Sequence, residues 1–439
     1  MPEKERTPKR VKAKARTPQE CFVYLQMPGS TETVTCGKFA QLELAGGGAA
    51  GVFVYGQRYR TRTDAVPIDP YHLPLSAEEV RTTNLGGVFG ALRDASPDAW
   101  GRRLIENNAQ RTDLTEIDFL LESPEDRVGA LSFGRGVSPP APVRAYNRVV
   151  HLSDLMEAAR LIEDAPEDHA DGERLKAARF LLEQHGTSMG GARAKSVVEA
   201  DDALWIAKFP QKGDRWNNAV VEAAMLHLAD RCGITVPATR IERVGPHSVL
   251  LVRRFDRERA EEAGNPYLRY RMVSALTALD ADDAVTNRGR WSYLLFADEL
   301  RRWSGRSEAD RKELFRRMVF NALVSNNDDH PRNHALIAPR STWFLAPAYD
   351  ITPNPQTGRH DRDLAMVCGT SGRQARRANL LSEVGRFGLQ PLQAAAIMDE
   401  MIGIIQAKWM TDILEQGGTV ADVEAVRTAF LDEGFEYAT

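Results

Sequence analysis

Asn326-Asn-Asp-Asp-His-Pro-Arg-Asn333, followed shortly by Ala348-Tyr-Asp350, is the stretch on which the reading of this sequence turns. Upstream of it, Leu314, Phe315, Met318, Val319, Ala322 and Leu323 recur at three- and four-residue spacing, the stripe of a helix with one buried face. A buried helix therefore runs into a polar loop. Downstream, His334 to Ala338 and Thr342 to Leu345 read as two strands about a Pro339-Arg340-Ser341 turn. An antiparallel pair of that length carries the chain back on itself, so Asp350 returns close to Asn333.

That grouping suits phosphoryl transfer. The reaction needs a carboxylate to orient and deprotonate the accepting hydroxyl. It also needs an amide oxygen and a second carboxylate to hold Mg2+ against the phosphates. Asp328, Asn333 and Asp350 fit those roles, and the interval from Asp328 to Asn333 is that of a protein-kinase catalytic loop. His-Arg-Asp and Asp-Phe-Gly are absent, and a polar turn of hydrogen-bonded Asx residues is the bland alternative. Upstream, Trp205-Ile-Ala-Lys208 resembles the strand that presents a lysine to the α- and β-phosphates, and Glu222 on the next helix is placed to pair with it. Taken singly, each is also consistent with an exposed surface charge. Gly186, Gly190 and Gly191 would let backbone N–H groups approach phosphate oxygens. Gly191-Ala-Arg-Ala-Lys195-Ser196 is not a Walker A loop, because the glycine before the lysine is missing.

Working outward, 439 residues exceed what one hydrophobic core organises, so at least two packed units are expected. Residues 1–18 form a basic arm (Lys4, Arg6, Lys9, Arg10, Lys12, Lys14, Arg16), read as disordered and solvated or as a nonspecific nucleic-acid contact. Residues 19–145 follow as a small β-rich subdomain with strands at Phe22–Leu25 and Val52–Tyr55, closed by Val137-Ser-Pro-Pro-Ala-Pro142. Residues 146–439 form the catalytic unit, with an N-lobe to about 258 and a mainly helical C-lobe from about 259. The fold class expected is α+β, a protein-kinase-like two-lobed core preceded by that subdomain. A net charge of -4 argues against a surface devoted wholly to phosphate binding. Cys21, Cys36, Cys232 and Cys368 are too scattered for zinc or a disulfide framework. No apolar run reaches the roughly 18 residues of a membrane span and no secretory signal opens the chain, so a cytoplasmic protein with no membrane partner is expected.

Several motifs together resemble the HipA family, the kinase toxins of bacterial toxin-antitoxin pairs. They are Ser188-Met-Gly-Gly-Ala-Arg-Ala-Lys195, Ile206-Ala-Lys208-Phe, Leu251-Val-Arg-Arg-Phe255-Asp-Arg257, Asn327-Asp-Asp-His-Pro-Arg-Asn333 and Ala348-Tyr-Asp350-Ile, in the family's order. Gly129-Ala-Leu-Ser-Phe-Gly134 and Pro97 to Arg103 are similar to its N-terminal part. The resemblance implies Asp328 as proton acceptor, Asn333 and Asp350 as Mg2+ ligands, and Lys208, paired with Glu222, as the phosphate lysine. Gly190, Gly191, Ala192, Arg193, Ala194 and Lys195 would form the phosphate-side loop, and Arg253, Arg254 and Phe255 would hold adenine. Family members often have Glu where Arg253 stands, which shifts the implied contact there to the backbone. His330, Pro331, Arg332 and Tyr349 would complete the ATP site. Ser188 matches a serine that family members phosphorylate on themselves, which implies self-inactivation. Implied too are the cofactors ATP and Mg2+, an aminoacyl-tRNA synthetase substrate (commonly the glutamyl enzyme), a HipB-like helix-turn-helix antitoxin, and operator DNA reached indirectly through it.

Two other readings stand beside this one. A metallohydrolase would use His330 and His334 with Asp328 and Asp329, but Pro331 interrupts the helix those histidines would share. A catalytically weak nucleotide-binding corepressor, acting with a DNA-binding antitoxin, would keep the fold and lose the chemistry.

Overall fold

A computed structural model of the chain describes residues 19–141, 146–163, 172–183, 191, 193–260, 266–355 and 362–430. The basic arm, Gly186, Ser188, Gly190 and Ala192 lie outside the described residues. In β1 (Gln19–Gln26), Cys21, Val23 and Leu25 alternate into the core, the period-two signature of a half-buried strand. It pairs antiparallel with β2 (Thr33–Glu43), which pairs in turn with β3 (Ala49–Tyr55). β4 (Val80–Thr82) and β5 (Leu131–Gly134) complete a sheet in the order β4-β3-β2-β1-β5. β2 was not expected from the sequence. Its Gly37 shows why a small residue breaks the apolar pattern there, since a Cβ at that position would lie 2.5 Å from both the Phe53 ring and the Val54 carbonyl oxygen.

The second sheet has the order β6-β7-β8-β10-β9, from β6 (Asn147–Arg148), β7 (Lys195–Ala200), β8 (Ala203–Lys208), β9 (Thr239–Val244) and β10 (His247–Arg253). Helix α1 (Ala99–Ala109) belongs by sequence to the first subdomain, yet Trp100 and Leu104 pack into the core beneath this second sheet. They meet Leu155 and Ile162 of α2 (Leu152–Glu163), Leu181 of α3 (Gly172–Glu183), and Val198, Ala207 and Leu251 of the strands. The two units thus share a core. Helix α4 (Asn218–Arg231) is capped by the Asn217 side chain, which accepts from the Val220 N–H.

β11 (Arg257–Arg259) and β12 (Tyr267–Arg269) form a hairpin leading into β13 (Arg271–Ser274). The remainder is mainly helical, including α5 (Tyr293–Trp303), α6 (Ser307–Leu323) and α7 (Pro391–Glu415). Every residue of the expected α6 stripe is fully buried. β14 (Ala335–Ala338) pairs with β15 (Phe344–Leu345), Leu336 opposite Leu345, and β13 adds to its other side.

A buried ionic cluster ties the first subdomain to the strand that leaves the second sheet. Arg254 contacts Asp126 at 2.7 Å and Asp256 at 2.9 Å, while Arg257 contacts Asp256 at 2.7 Å and Asp126 at 3.1 Å. The Gly129 N–H donates to Asp256 at 2.9 Å, and Arg254 donates to the Arg127 carbonyl at 2.8 Å. Burial opposes ionisation of Asp256, but Arg254 and Arg257 outweigh it and hold this carboxyl well below the usual range. Removing one member strands the others' charge, so Asp256→Asn is expected to cost about 3–5 kcal/mol, read from the denaturant midpoint. Because the folded-state pKa lies below the unfolded one, the stabilisation is complete above roughly pH 4 and is lost as pH falls further; the variant should lack this part of the acid transition.

Candidate functional site

Lys208 stands at the end of β8, and its ammonium lies between two carboxylates, 2.5 Å from Glu222 on α4 and 2.9 Å from Asp350. Burial disfavours the charge on Lys208, but Asp350 and Glu222 overcome that and hold its pKa above the ordinary lysine value. The carboxylates divide one cation unequally. Burial and the nearby Asp350 raise Glu222, whereas Asp350, also opposed by burial, is held below its ordinary value chiefly by Lys208. Asp350 adopts φ +59°, a left-handed conformation uncommon for a non-glycine residue and found where the surroundings over-determine the backbone. Gly191, at φ +90°, sits so close that a Cβ there would be 3.9 Å from Asp350 Oδ2.

The loop after α6 supplies the second half. The His330 N–H and Asn333 Nδ2 both donate to the Asp328 carbonyl, each at 2.9 Å, and these bonds fold Asp328 and Asn333 into one turn. Nδ2 being committed, Oδ1 is the donor atom that Asn333 has left for a cation. The Asp328 carboxylate is exposed and makes no hydrogen bond among the described residues. The Tyr349 hydroxyl donates to the Arg332 carbonyl at 2.7 Å, so the strand pair does bring the Asp350 segment back against the loop. Asn333 and Asp350 offer hard oxygen donors, which fits Mg2+.

A cavity of about 340 Å3 opens between the sheets and the helical lobe. Of the residues expected at a nucleotide site, Gly191, Lys208, Glu222, Arg253, Phe255, His330, Arg332, Tyr349 and Asp350 line it. The Phe255 and Tyr349 rings lie 5.6 Å apart on its wall. Five expected residues are turned elsewhere, which corrects the side-chain contacts implied for them. Arg254 is held in the buried ionic cluster, because alternation along the strand sends Arg253 to the cavity and its neighbour to the core. Arg193 pairs with Asp214 at 2.5 Å, and Ala194 is buried in the shared core. The buried Lys195 donates to Asp98 at 2.6 Å and to the Gly191 carbonyl at 3.1 Å, so its charge is spent on holding the loop. Pro331 is buried at the start of a short turn.

One wall comes from residues the sequence did not assign to the site, Arg93 and Asp94, together with Asp98 and Arg102 from within the Pro97 to Arg103 segment of the first subdomain. Asp98 caps α1 by accepting from the Gly101 N–H at 2.8 Å while holding Lys195. Asp94 accepts from the Ser274 N–H, Ser274 Oγ and Thr277 Oγ1, each at 2.7 Å, and lies 3.3 Å from Arg332. Asp283 holds the other side of Arg332 at 2.6 Å. The one legible signal was Asp98 itself, an N-cap residue directly before an apolar helix.

His334 is buried against Tyr293 and Phe296, neither ring nitrogen has a hydrogen-bond partner among the described residues, and burial pulls its pKa down to about 3. It packs as a neutral aromatic, which removes the paired-histidine metal site. Asp329 beside it accepts from the Tyr293 hydroxyl and the Ala365 N–H, and burial raises it to about 7. The folded chain therefore keeps a proton that the unfolded chain releases near pH 4, and Asp329 makes stability fall as pH rises between roughly 4 and 7. Asp329→Asn should flatten that slope relative to the unsubstituted protein, measured as denaturant midpoints across the interval.

A family model described as the HipA-like C-terminal domain matches residues 187–409, and one described as the HipA N-terminal domain matches residues 34–134. A kinase-named protein of Haemophilus influenzae is 26% identical over 146 residues, which cover 31% of this chain and 42% of that relative, so the match spans less than half of its length. A solved structure of HipA from Shewanella oneidensis, in complex with HipB and operator DNA, superposes with a TM-score of 0.66 at 16% identity, covering 93% of this chain and 94% of that one. At that identity the likeness speaks for a shared fold.

Proposed function

This chain belongs to the HipA family, and from that premise we propose that it is a Mg2+- and ATP-dependent protein kinase toxin that transfers the γ-phosphoryl group to a serine or threonine hydroxyl. The observation that carries this reading is the convergence of Lys208, Glu222 and Asp350 on one cavity, beside a turn that joins Asp328 to Asn333. Lys208, held by Glu222, binds the α- and β-phosphates. Phe255, Tyr349 and the backbone about Arg253 form the adenine side. Asn333 Oδ1 and the Asp350 carboxylate would hold Mg2+, which when bound neutralises charge on the phosphates. Asp328 takes the proton from the acceptor hydroxyl, and its exposure lets a macromolecular substrate reach it.

The proposed acceptor, following the family resemblance, is a serine of an aminoacyl-tRNA synthetase, the glutamyl enzyme first. The proposed partner is a HipB-like helix-turn-helix antitoxin, with operator DNA reached through it; the HipA–HipB–DNA assembly of the structural neighbour supports this. No helix among the described residues is long and apolar enough to cross a membrane, and we propose a cytoplasmic site of action. Ser188 is the proposed self-phosphorylation site, where a phosphate would add about -1.5 to -2 charge and inactivate the enzyme.

Calorimetric titration with Mg2+ and ATP tests the binding half. Lys208→Met loses a charge-assisted contact and should weaken binding roughly ten- to a hundredfold, whereas Asp328→Ala should leave affinity almost unchanged. Equal affinity for Lys208→Met and the unsubstituted chain would refute the assignment. Intact-mass measurement after incubation with ATP should show one phosphate that Ser188→Ala and Asp328→Ala both lack; a phosphate persisting in Ser188→Ala would refute that site.

A further inference from the structure

Outside the cavity lining, helices α4 and α7 bring His227, Asp412 and Glu415 together, with one ligand atom of each lying within 4.8 Å of the others. Asp412 and Glu415 are three residues apart on α7, so they share a face, and that face packs on α4. Asp412 is completely buried, an expensive location for a carboxylate unless its oxygens are satisfied. Its Oδ2 is 3.2 Å from Arg231 Nε, but its Oδ1 has no hydrogen-bond partner among the described residues. His227 Nδ1 is likewise buried without a partner among the described residues, and it faces Asp412 Oδ1 at 3.8 Å, too far for a hydrogen bond. Two orphaned donor atoms therefore look at each other across a gap, with the exposed Glu415 carboxylate at its mouth.

From this geometry we infer that His227, Asp412 and Glu415 form a second metal site, for a divalent transition cation such as Zn2+, which clamps α4 to α7. Zinc holds imidazole nitrogen and carboxylate oxygen at about 2.0–2.2 Å, so a modest inward movement of the three side chains completes the set, with water in the fourth position. The mixed nitrogen and oxygen donors favour zinc-like ions over Mg2+. Arg231 lies 3.2 Å from Asp412 Oδ2 and 3.8 Å from Glu415. Its positive charge opposes the cation, but it engages the Asp412 oxygen turned away from His227 and so orients the other one inward, as outer partners of metal ligands do. The four cysteines are all buried and do not compete. Glu222 rides on the same helix as His227, so a cation at this site would brace the helix that positions Lys208. The inference does not rest on the kinase reading, because its test reads metal binding.

Chelator-treated full-length protein would be titrated with Zn2+ by calorimetry in saturating Mg2+, with thermal unfolding followed in parallel. Saturable binding of one zinc per chain is expected, together with a zinc-dependent rise in unfolding temperature. His227→Gln should weaken the binding at least roughly tenfold and abolish the rise, and Glu415→Gln, at an exposed position, should weaken binding with the fold intact. Co2+ in place of zinc should give visible absorption bands without the thiolate charge-transfer bands of a cysteine site. Absence of saturable binding, or binding equally tight in His227→Gln, would overturn the site and leave the cluster as a packing contact between α4 and α7.

Discussion

The half-buried ammonium of Lys208 lies between a carboxylate from each lobe, and the arrangement of the rest depends on it. A single cation shared by the buried Glu222 and the partly exposed Asp350 ties β8, helix α4 and the segment after β15 into one relation, since separating them would strand the Glu222 charge. Asp350 accepts a left-handed backbone conformation to meet this requirement. The hairpin that delivers Asp350 also fixes it against the loop carrying Asp328 and Asn333. The geometry that makes the cavity chemically interesting is thus the geometry that joins the lobes.

The first subdomain is not an appendage to this core. Asp98 simultaneously caps α1 and holds Lys195, whose ammonium also grips the Gly191 carbonyl at the cavity edge. Asp94 reaches the end of β13 and, through Arg332, the Asp328 loop. Arg254, Arg257, Asp126 and Asp256 lock the junction from behind. Whatever binds the first subdomain has direct mechanical contact with the Asp328–Asn333 loop at the cavity.

Much of this was legible in the sequence, for identifiable reasons. The α6 stripe and the hairpin after Asn333 declare themselves through apolar spacing and a proline turn. The pairing of Lys208 with Glu222 follows from placing a strand before a helix. β2 was illegible because Gly37 and Lys38 interrupt its pattern, and its register is set by neighbours on both sides. Adjacent arginines misled for a related reason: a strand sends Arg253 and Arg254 to opposite faces, and only tertiary context says which faces the cleft. Asp98 meets Lys195 across 97 residues and Asp94 meets Ser274 across 180, distances over which no local pattern carries information.

The account stands or falls on phosphoryl transfer dependent on Asp328. Purified protein would be incubated with Mg2+ and γ-labelled ATP, alone and with a panel of aminoacyl-tRNA synthetases, in parallel with Asp328→Ala. A kinase of this design labels protein, the chain itself or one synthetase, with transfer falling roughly 100- to 10,000-fold in the variant. Nucleotide binding without transfer of label in either preparation would contradict it and turn the chain into a nucleotide-binding corepressor.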